Sequence, residues 1–299
     1  MIAINITILF GGQSSEREVS LKSGRRIYEA LLQAGHKVSA IDFDGRTDAA
    51  MLSRLSNADV VFLALHGGEG EGGGLQAALE QAGITHYTGS DAASAALAMN
   101  KSEAKQAVKR AGVPVTSDTI WLPQAVRPKI SLPAVIKPLS GGSSVGLCIA
   151  KSKEDIEALS PTEPMLIEPL LTGREYTVGV LAGQVLPVVE ICPLGGVYDY
   201  RRKYTPGETK EICPAPVSAQ KAAELQALAM HAFKALGLRD FARMDFKEDT
   251  AGIPYFLEAN TIPGMTETSL LPLAAATAGI DFSALCTQMA LLAAARKKA

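Results

Sequence analysis

The sequence predicts an α/β unit built on a parallel sheet, followed by a longer α+β region. Over about the first 90 residues, continuous apolar strands alternate with helices, which is the pattern of a parallel sheet covered on both faces. Beyond that point the strands become short and prolines punctuate the chain, as in α+β folds. The 299 residues are 47% hydrophobic and 20% charged, which gives enough apolar surface for folded cores and too little charge for a disordered chain.

The N-terminal unit alternates strand and helix in regular order. Apolar runs predict strands at 4–10, 37–43 and 60–65, and helical spacing predicts helices at 19–34 and 48–57. Ligands of parallel sheets bind beyond the carboxyl ends of the strands. The two loops at those ends, 11–16 and 66–72, are therefore the first candidates for a binding site.

The later region contains short strands between a few longer helices. Residues 192–216 hold Pro, Gly, aromatic and charged residues without a period, which predicts a lid or a binding loop. The pattern predicts helices at 101–111 and 219–236, two C-terminal helices, and strands at 134–137, 145–150, 165–168, 176–181, 184–191, 241–247 and 255–259.

Charge, cysteine and hydropathy patterns exclude several classes of protein. Lys and Arg number 29 against 31 Asp and Glu, so the net charge of −2 provides no general field for nucleic acid or an anionic membrane. Four cysteines are scattered without a C-x-x-C pair, which predicts a reducing cytoplasm and no zinc site. Pro272, Asp281 and Gln288 interrupt the apolar C-terminal stretch, which predicts packed helices rather than a membrane span.

One glycine motif matches a dinucleotide-binding pattern. Gly68, Gly70 and Gly73 spell G-x-G-x-x-G between a strand and a helix, and Asp91 lies about 20 residues further on. Glutamates within the loop, Glu71 among them, would repel a pyrophosphate at the helix N-terminus. Dinucleotide binding is therefore the weaker alternative, and no Walker-type motif is present in the sequence.

A second glycine-rich segment, residues 137–146, runs from one predicted strand to the next. Its glycines allow backbone N–H groups to approach phosphate oxygens, while Ser143 and Ser144 add hydroxyl donors and Lys137 adds a charge. This composition suits a loop that covers a phosphate. Taken alone, the segment fits an ordinary hairpin equally well.

Two strands near the C-terminus carry pairs of polar residues. Arg243 and Asp245 lie two apart on one strand, and Glu258 and Asn260 lie two apart on the next. Side chains two apart share one face of a strand, so all four can converge. Two carboxylates and a carboxamide are hard oxygen ligands suited to Mg²⁺ or Mn²⁺, whereas surface ion pairing is the alternative for any one of them.

The order of motifs along nearly the whole chain resembles that of the D-alanine–D-alanine ligases of the ATP-grasp superfamily. The matching segments are SSEREVS at 14–20, LHG at 65–67, YTGS at 87–90, MNK at 99–101, VIKP at 135–138, GSSVG at 142–146, YDY at 198–200, KY at 203–204, RMD at 243–245 and EANTIPGMT at 258–266.

The resemblance implies a three-part organisation and an activity. Residues 1–90 would form a Rossmann-like substrate-binding domain, and residues 91–172 and 173–299 would form the two subdomains of an ATP-grasp fold. Such enzymes join two D-alanines through an acyl phosphate for peptidoglycan precursors, with ATP and two Mg²⁺ or Mn²⁺ ions as cofactors. The resemblance also implies a homodimer in the cytoplasm, without a nucleic-acid or membrane partner.

The resemblance assigns the nucleotide and metal contacts residue by residue. Lys101 and Lys137 would hold phosphates of ATP, and the loop with Ser143 and Ser144 would close over them. Glu168, Leu170 and Leu171 would contact adenine, Glu175 would contact the ribose, and Asp245, Glu258 and Asn260 would hold the metal ions.

It assigns the substrate contacts in the same way. Glu16 would pair with the ammonium of the first D-alanine, near His66, although taken alone His66 fits a buried core histidine. Arg243 and the N–H of Gly264 would face the developing oxyanion. Lys203, Ser269 and the N–H of Leu270 would hold the carboxylate of the second D-alanine, and Tyr204 would bond towards Glu16 and Ser143 to draw the lid shut.

Two other functions remain open at this stage. A different ATP-grasp ligase could join another amino or hydroxy acid, such as D-lactate, and a non-catalytic nucleotide-binding regulator is a third possibility. The chain departs from the family pattern at Gly72 in the substrate pocket, at Glu267 beside the second-substrate site, and at Pro169, where many relatives have a Lys that contacts the nucleotide. An added charge at Glu267 would alter the acceptor preference. The complete metal and oxyanion set argues against the regulator, because a binding module needs neither.

Overall fold

The chain forms three β-sheets within residues 3–142, 145–193 and 209–297, which are the residues that the computed structural model describes. The first sheet is parallel, as the apolar strand pattern predicts. Its central strand β1 (Asn5–Gly11) lies between β2 (Lys37–Phe43) and β3 (Val60–Leu63). Continuous burial of β3 agrees with helices on both faces of this sheet.

Helices cover both faces of the parallel sheet. Ile6 and Ile8 point to one face and pack in a core that includes residues of the first helix, whereas Leu9 points to the other face. The sequence pattern missed the short third helix and the fifth helix. The helices are α1 (Arg17–Gln33), α2 (Ala49–Ser56), α3 (Gly68–Glu71), α4 (Gly74–Gln81) and α5 (Ala92–Met99).

The second sheet is antiparallel, in the order β4-β7-β5-β6. Trp121, Ile136 and Ile167 lie in its core. Strand β4 was not predicted, and β6 begins at Cys148 rather than at 145. The elements are α6 (Lys101–Arg110), β4 (Thr119–Trp121), β5 (Ala134–Pro138), β6 (Cys148–Ala150), α7 (Lys153–Glu157) and β7 (Met165–Pro169).

The third sheet is also antiparallel and has the order β11-β10-β8-β12-β13, with β9 paired to β8. The loop predicted at 192–216 is too long at both ends, because its first residues belong to β10 and residues 209–212 form β11. These two strands pair, with Cys192 opposite Lys210. The elements are β8 (Glu175–Leu181), β9 (Gln184–Val185), β10 (Val189–Pro193), β11 (Thr209–Ile212), α8 (Ala219–Ala235), β12 (Phe241–Glu248), β13 (Pro254–Asn260), α9 (Leu270–Thr277) and α10 (Phe282–Lys297).

Alternation along β12 separates a core face from a polar face. Met244 and Phe246 pack in a core with Leu225 of α8, while Arg243 and Asp245 face the other way. The helices α9 and α10 contribute to the core that also contains Ile6 and Ile8, so the C-terminus packs against the N-terminal unit. In the described part of the chain, no single helix is long and apolar enough to cross a membrane, and α9 and α10 meet that test only as a pair bent by 105°.

Candidate active site

Two adjoining clefts open where the three sheets meet. The first, called the polar cleft, encloses about 890 Å³ and is lined by residues from all three sheet units. The second, called the apolar cleft, encloses about 880 Å³ and lies between the second and third sheets. Lys101, Gly141, Gly142 and Glu258 line both, so the two clefts adjoin at these residues.

Two buried carboxylates mark one end of the polar cleft. Glu16 directly precedes α1, which begins two residues earlier than predicted, and Glu71 ends α3. The N–H of Gly67 donates to Glu71 Oε2 at 3.1 Å. A Cβ placed on Gly142 would lie 3.6 Å from Glu16 Oε2 and 3.7 Å from Glu71 Oε2, so both carboxylates approach the glycine-rich loop. Neighbouring buried carboxylates are stabilised by a cation, and this end of the cleft therefore suits an ammonium group.

His66 lies beside this acidic end but uses both ring nitrogens within the protein. Its Nδ1 is 3.1 Å from the carbonyl oxygen of Ile262, and its Nε2 is 3.2 Å from Ser23 Oγ. The same Nδ1 lies 3.9 Å from Glu71 Oε1. The buried His66 is thus a hydrogen-bonded core residue that also lines the polar cleft.

Hydrogen-bond donors line the opposite wall of the polar cleft. Arg243, Gly264, Ser269 and Leu270 all border it, and Leu270 is the first residue of α9. A helix N-terminus presents free N–H groups and a partial positive charge, which favour an anion. A Cβ placed on Gly264 would come within 2.8 Å of Ser269 Oγ, so a side chain at this position would displace that hydroxyl. The wall can therefore accept a carboxylate or an oxyanion.

The four polar residues in the middle of β12 and at the end of β13 converge, as their spacing predicts. Strand register places Arg243 opposite Asn260 and Asp245 opposite Glu258. Arg243 donates to Asp245 through Nε at 3.0 Å and Nη2 at 3.1 Å, and Thr177 Oγ1 donates to the same carboxylate at 2.6 Å. The two strands thus bring two carboxylates and one amide to the boundary between the clefts.

The amide of Asn260 is the observation that bears on a metal ion. Its Oδ1 is buried and has no hydrogen-bond partner among the described residues. A buried carbonyl oxygen without a donor is costly in the protein alone, and it is a suitable ligand for a hard cation. No group of three or more His, Cys, Asp and Glu side chains within the described ranges could hold a metal, so the fit depends on Asn260 together with Asp245 and Glu258.

Lys101 stands at the passage between the clefts. It is the first residue of α6, and its backbone N–H donates to the carbonyl oxygen of Leu139. Its Nζ donates to the carbonyl oxygen of Gly141 at 2.5 Å and lies 3.8 Å from Glu258 Oε2. The lysine thereby ties the glycine-rich loop between β5 and β6 to the N-terminus of α6.

A buried charge network forms the floor of the apolar cleft. Glu168 Oε1 lies 2.6 Å from Lys137 Nζ, and Glu168 Oε2 accepts from Lys105 Nζ at 3.0 Å. Thr116 Oγ1 bonds to both Lys105 and Glu168. Sequence reasoning missed Lys105, although its place one helical turn after Lys101 on α6 is a signal that could have identified it.

This network shifts two pKa values in opposite directions. Burial by itself would raise the pKa of Glu168, but the charges of Lys137 and Lys105 outweigh it and lower the pKa to about 2. Burial by itself would lower the pKa of Lys137, but the charge of Glu168, aided by Glu258, raises it above its ordinary value. Both groups are therefore charged near neutral pH.

The remaining predicted nucleotide contacts border the apolar cleft. Leu170 and Leu171 supply apolar surface, and the N–H of Leu170 donates to the carbonyl oxygen of Pro133 at 3.1 Å. Glu175 lies at the rim and accepts from Lys247 Nζ at 2.7 Å. The cleft therefore offers an apolar surface with charged groups at its edges, which suits a flat heterocycle attached to a polar chain.

Four predicted site residues lie outside the described residues. They are Ser143 and Ser144 in the glycine-rich loop and Lys203 and Tyr204 between β10 and β11. Their roles stay predictions.

The geometry of the glycine motif at residues 68–73 argues against dinucleotide binding. A Cβ on Gly70 would meet Leu65 Cβ at 2.5 Å, and a Cβ on Gly73 would meet the carbonyl oxygen of Ala92 at 2.4 Å. These glycines therefore allow close packing. The N–H of Gly67, which a phosphate could otherwise use, donates to the Glu71 carboxylate.

A parallel-sheet unit followed by two antiparallel sheets that enclose an apolar cleft is the architecture of ATP-grasp enzymes. Residues 5–48 and 104–291 match the family models described as D-ala D-ala ligase N-terminus and D-ala D-ala ligase C-terminus. The chain belongs to the D-alanine–D-alanine ligase family.

Full-length relatives agree with this assignment. A D-alanine–D-alanine ligase of Aquifex aeolicus is 41% identical over 290 residues, which cover 94% of this chain and 98% of that protein. The crystal structure of the Bacillus anthracis D-alanine–D-alanine ligase complexed with ATP superposes with a TM-score of 0.84 at 29% identity, covering 100% and 99% of the two chains. The VanG D-Ala:D-Ser ligase of Enterococcus faecalis superposes with a TM-score of 0.81 at 27% identity, covering 98% and 100%.

Proposed function

We propose that this chain uses ATP to join two D-alanine molecules into D-alanyl-D-alanine for peptidoglycan precursors. The observation that carries the proposal is the order of charges along the two joined clefts. Two buried carboxylates and a set of hydrogen-bond donors line the polar cleft, Lys101 stands where the two clefts adjoin, and Lys137 lies at the floor of the apolar cleft. A substrate with an ammonium and a carboxylate, placed next to a nucleotide, satisfies all three groups.

In the first step, the carboxylate of one D-alanine attacks the γ-phosphorus of ATP, and ADP leaves. Glu16, beside Glu71, binds the ammonium of this D-alanine, which orients its carboxylate towards the passage. Lys101 and Lys137 bind phosphate oxygens and neutralise charge on the transferred group. The adenine lies on Leu170 and Leu171 in the apolar cleft, and Glu175 at its rim bonds to the ribose.

Glu168 contributes to nucleotide binding through its neighbours. Its carboxylate bonds to Lys137 and Lys105, which fixes Lys137 at the floor of the apolar cleft. An exocyclic amine of adenine can donate to the same carboxylate, because a carboxylate accepts up to about four hydrogen bonds. The proposal therefore retains Glu168 as an adenine contact and adds a positioning role for Lys105.

In the second step, the neutral amine of another D-alanine attacks the carbonyl carbon of the acyl phosphate. The C–O bond to phosphate breaks, and the leaving phosphate takes the proton that the amine loses. Arg243 and the N–H of Gly264 stabilise the oxyanion that forms on that carbon. Ser269 and the N–H of Leu270, at the start of α9, bind the carboxylate of the attacking D-alanine.

Divalent metal ions fit the oxygen donors in the middle of β12 and at the end of β13. We propose that Asp245, Glu258 and Asn260 hold two Mg²⁺ or Mn²⁺ ions, and the unpartnered Oδ1 of Asn260 supports this assignment. When bound, such ions neutralise phosphate charge next to the lysines.

The proposal also covers the loops beyond the described residues and the assembly of the protein. Ser143 and Ser144 would cover the phosphates, and Lys203 and Tyr204 would belong to a lid that excludes water from the acyl phosphate. We further propose a homodimer in the cytoplasm, where ATP is available, with domains at 1–90, 91–172 and 173–299. Light scattering after size-exclusion chromatography tests the dimer through the molar mass.

The decisive experiment measures ADP and phosphate release by the purified protein with ATP, Mg²⁺ and D-alanine, and identifies the products by mass. Parallel reactions contain L-alanine, D-alanine with D-serine, and D-alanine with D-lactate. We expect D-alanyl-D-alanine from D-alanine alone. If products of D-alanine with D-serine or D-lactate form in preference to D-alanyl-D-alanine, the two-step chemistry stands and the proposed acceptor is refuted. If no acid causes ADP release, the ligase function is refuted.

A further inference from the structure

A single serine of α1 connects the acidic end of the polar cleft to the oxyanion wall. Ser23 Oγ accepts from the N–H of Met265 at 3.2 Å and lies 3.2 Å from His66 Nε2. On its other side, His66 Nδ1 lies 3.1 Å from the carbonyl oxygen of Ile262. Ser23 and His66 are both buried, so water does not compete for these bonds.

When the His66 ring is neutral, its hydrogen-bond partners decide which nitrogen carries the proton. The carbonyl oxygen of Ile262 can only accept, so Nδ1 carries the proton and donates it. Nε2 is then an acceptor, and the hydroxyl proton of Ser23 donates to it, since the N–H of Met265 already occupies a lone pair of Ser23 Oγ. The bonds form one directed chain from Met265 through Ser23 and His66 to Ile262.

This chain encloses the residue that faces the oxyanion. Ile262 and Met265 lie on either side of the Pro263-Gly264 pair. The carbonyl oxygen of Ile262 bonds to His66, and the N–H of Met265 donates to Ser23. Arg26, one turn further along α1, donates to the carbonyl oxygens of Met265 and Thr266 at 3.0 and 2.8 Å. Ser23, His66 and Arg26 therefore hold segment 262–266 on both sides of Gly264, which restricts the directions that the Gly264 N–H can take.

We propose that Ser23 is a positioning residue that fixes the tautomer of His66 and, through Ile262 and Met265, the direction of the Gly264 N–H. This inference rests on the proposed function, because the Gly264 N–H matters only when an oxyanion forms beside it. Ser23 touches neither substrate. Its effect is on the second step, since preorganised donors stabilise the oxyanion without reorganisation during the reaction.

The same helix offers a matched control. Ser20 is one turn earlier on α1 and equally buried, and its Oγ accepts from the N–H of Gly11 and donates to the carbonyl oxygen of Ala64. Both of those partners belong to the N-terminal unit. Ser20→Ala therefore removes the same number of buried hydrogen bonds as Ser23→Ala without touching segment 262–266.

The test compares dipeptide synthesis by wild type, Ser23→Ala and Ser20→Ala, together with melting temperatures. We expect Ser23→Ala to lower kcat for dipeptide formation by roughly 10- to 100-fold, with KM for ATP unchanged, because a donor displaced by a fraction of an ångström loses most of its effect. Ser20→Ala should lower the melting temperature similarly but keep the wild-type kcat. Equal kcat values for the two variants would overturn the proposal.

A second measurement does not depend on activity. Nitrogen-15 NMR of the imidazole groups, assigned with His66→Gln, reports which ring nitrogen carries the proton. We expect the Nδ1–H form in the wild type and a mixture or the other form in Ser23→Ala. An Nε2–H tautomer in the wild type would overturn the inference even if Ser23→Ala fails to fold. If the wild type makes no dipeptide, the proposed function fails. The NMR result still decides whether Ser23 and His66 form the inferred hydrogen-bond chain.

Discussion

Replacement of Lys105 by Met tests whether the buried charge network sets the affinity for ATP. Lys105 Nζ donates to Thr116 Oγ1 at 2.9 Å and to Glu168 Oε2 at 3.0 Å, and the side chain is 1% exposed. Met has a similar length and an apolar stem, so the substitution removes the charge and leaves most of the packing volume. Glu168 then keeps one lysine partner, Lys137 at 2.6 Å.

The expected cost follows from these contacts. A hydrogen bond to a charged group contributes about 1.5–3 kcal/mol, and removal of one partner from a buried ion pair costs about 3–5 kcal/mol. Because Lys137 still neutralises Glu168, the lower limit applies, and we expect a loss of about 3 kcal/mol in the free energy of unfolding. The pKa of Glu168 should also rise from about 2, since one of its two lysine charges is removed.

The same substitution should weaken nucleotide binding. Lys137 is held by Glu168, which is held in turn by Lys105, so loss of Lys105 lets the Lys137 amine, which we propose binds phosphate, move. We expect KM for ATP to rise about tenfold, equivalent to about 1.4 kcal/mol, while KM for D-alanine changes little. Steady-state kinetics with each substrate varied in turn separates the two effects.

Lys109→Met is the control for Lys105→Met. It makes the same chemical change one turn later on α6, at an exposed position. Surface substitutions of this kind change stability by less than about 0.5 kcal/mol. If both variants show the same thermal stability and the same KM for ATP, the network does not hold Lys137, and the reasoning is wrong.

Three further predictions address the wall, the metal ions and the charge network. Gly264→Ala places a methyl group 2.8 Å from Ser269 Oγ, so we expect kcat for dipeptide formation to fall by roughly 10- to 100-fold with little change in melting temperature; normal kcat would contradict the assigned wall. Glu258→Gln should weaken the Mg²⁺ dependence of ATP binding measured by calorimetry, whereas Glu224→Gln, on the surface of α8, should not. If both variants show the same Mg²⁺ dependence, the metal assignment is wrong. The folded-state pKa of Glu168 is depressed to about 2 from the ordinary value of 4.5, so its stabilisation is present above about pH 4.5 and is lost as the pH falls towards 2. The difference in melting temperature between wild type and Glu168→Gln should therefore narrow over that range, and a constant difference would contradict the shift.

The predicted elements agree with the structure where the sequence pattern is long and regular. Strand 37–43 matches β2, and the helices predicted at 19–34 and 219–236 appear as α1 and α8 with small changes at their ends. Short elements were missed, among them α3 and β4, because three or four residues carry too little periodicity to separate them from loops.

Pairs of polar residues two apart on predicted strands gave the strongest local signal for the site. Their spacing predicted that Arg243 and Asp245 share a face, and strand register confirms that they meet Asn260 and Glu258. Register between strands is set by packing and by a bulge after Asp245, which the sequence pattern did not reveal.

The sequence by itself determined the class of fold and the family, and it predicted residue types for phosphate, metal and oxyanion chemistry, because these depend on local spacing and on motif order. Tertiary structure decided which charges are coupled. Glu168 lies between Lys137 and Lys105, and Ser23 bonds to both His66 and Met265, although Ser23 and Met265 are 242 positions apart in the chain. Such contacts arise when separate elements pack together, and burial then makes each hydrogen bond strong enough to fix a neighbouring side chain.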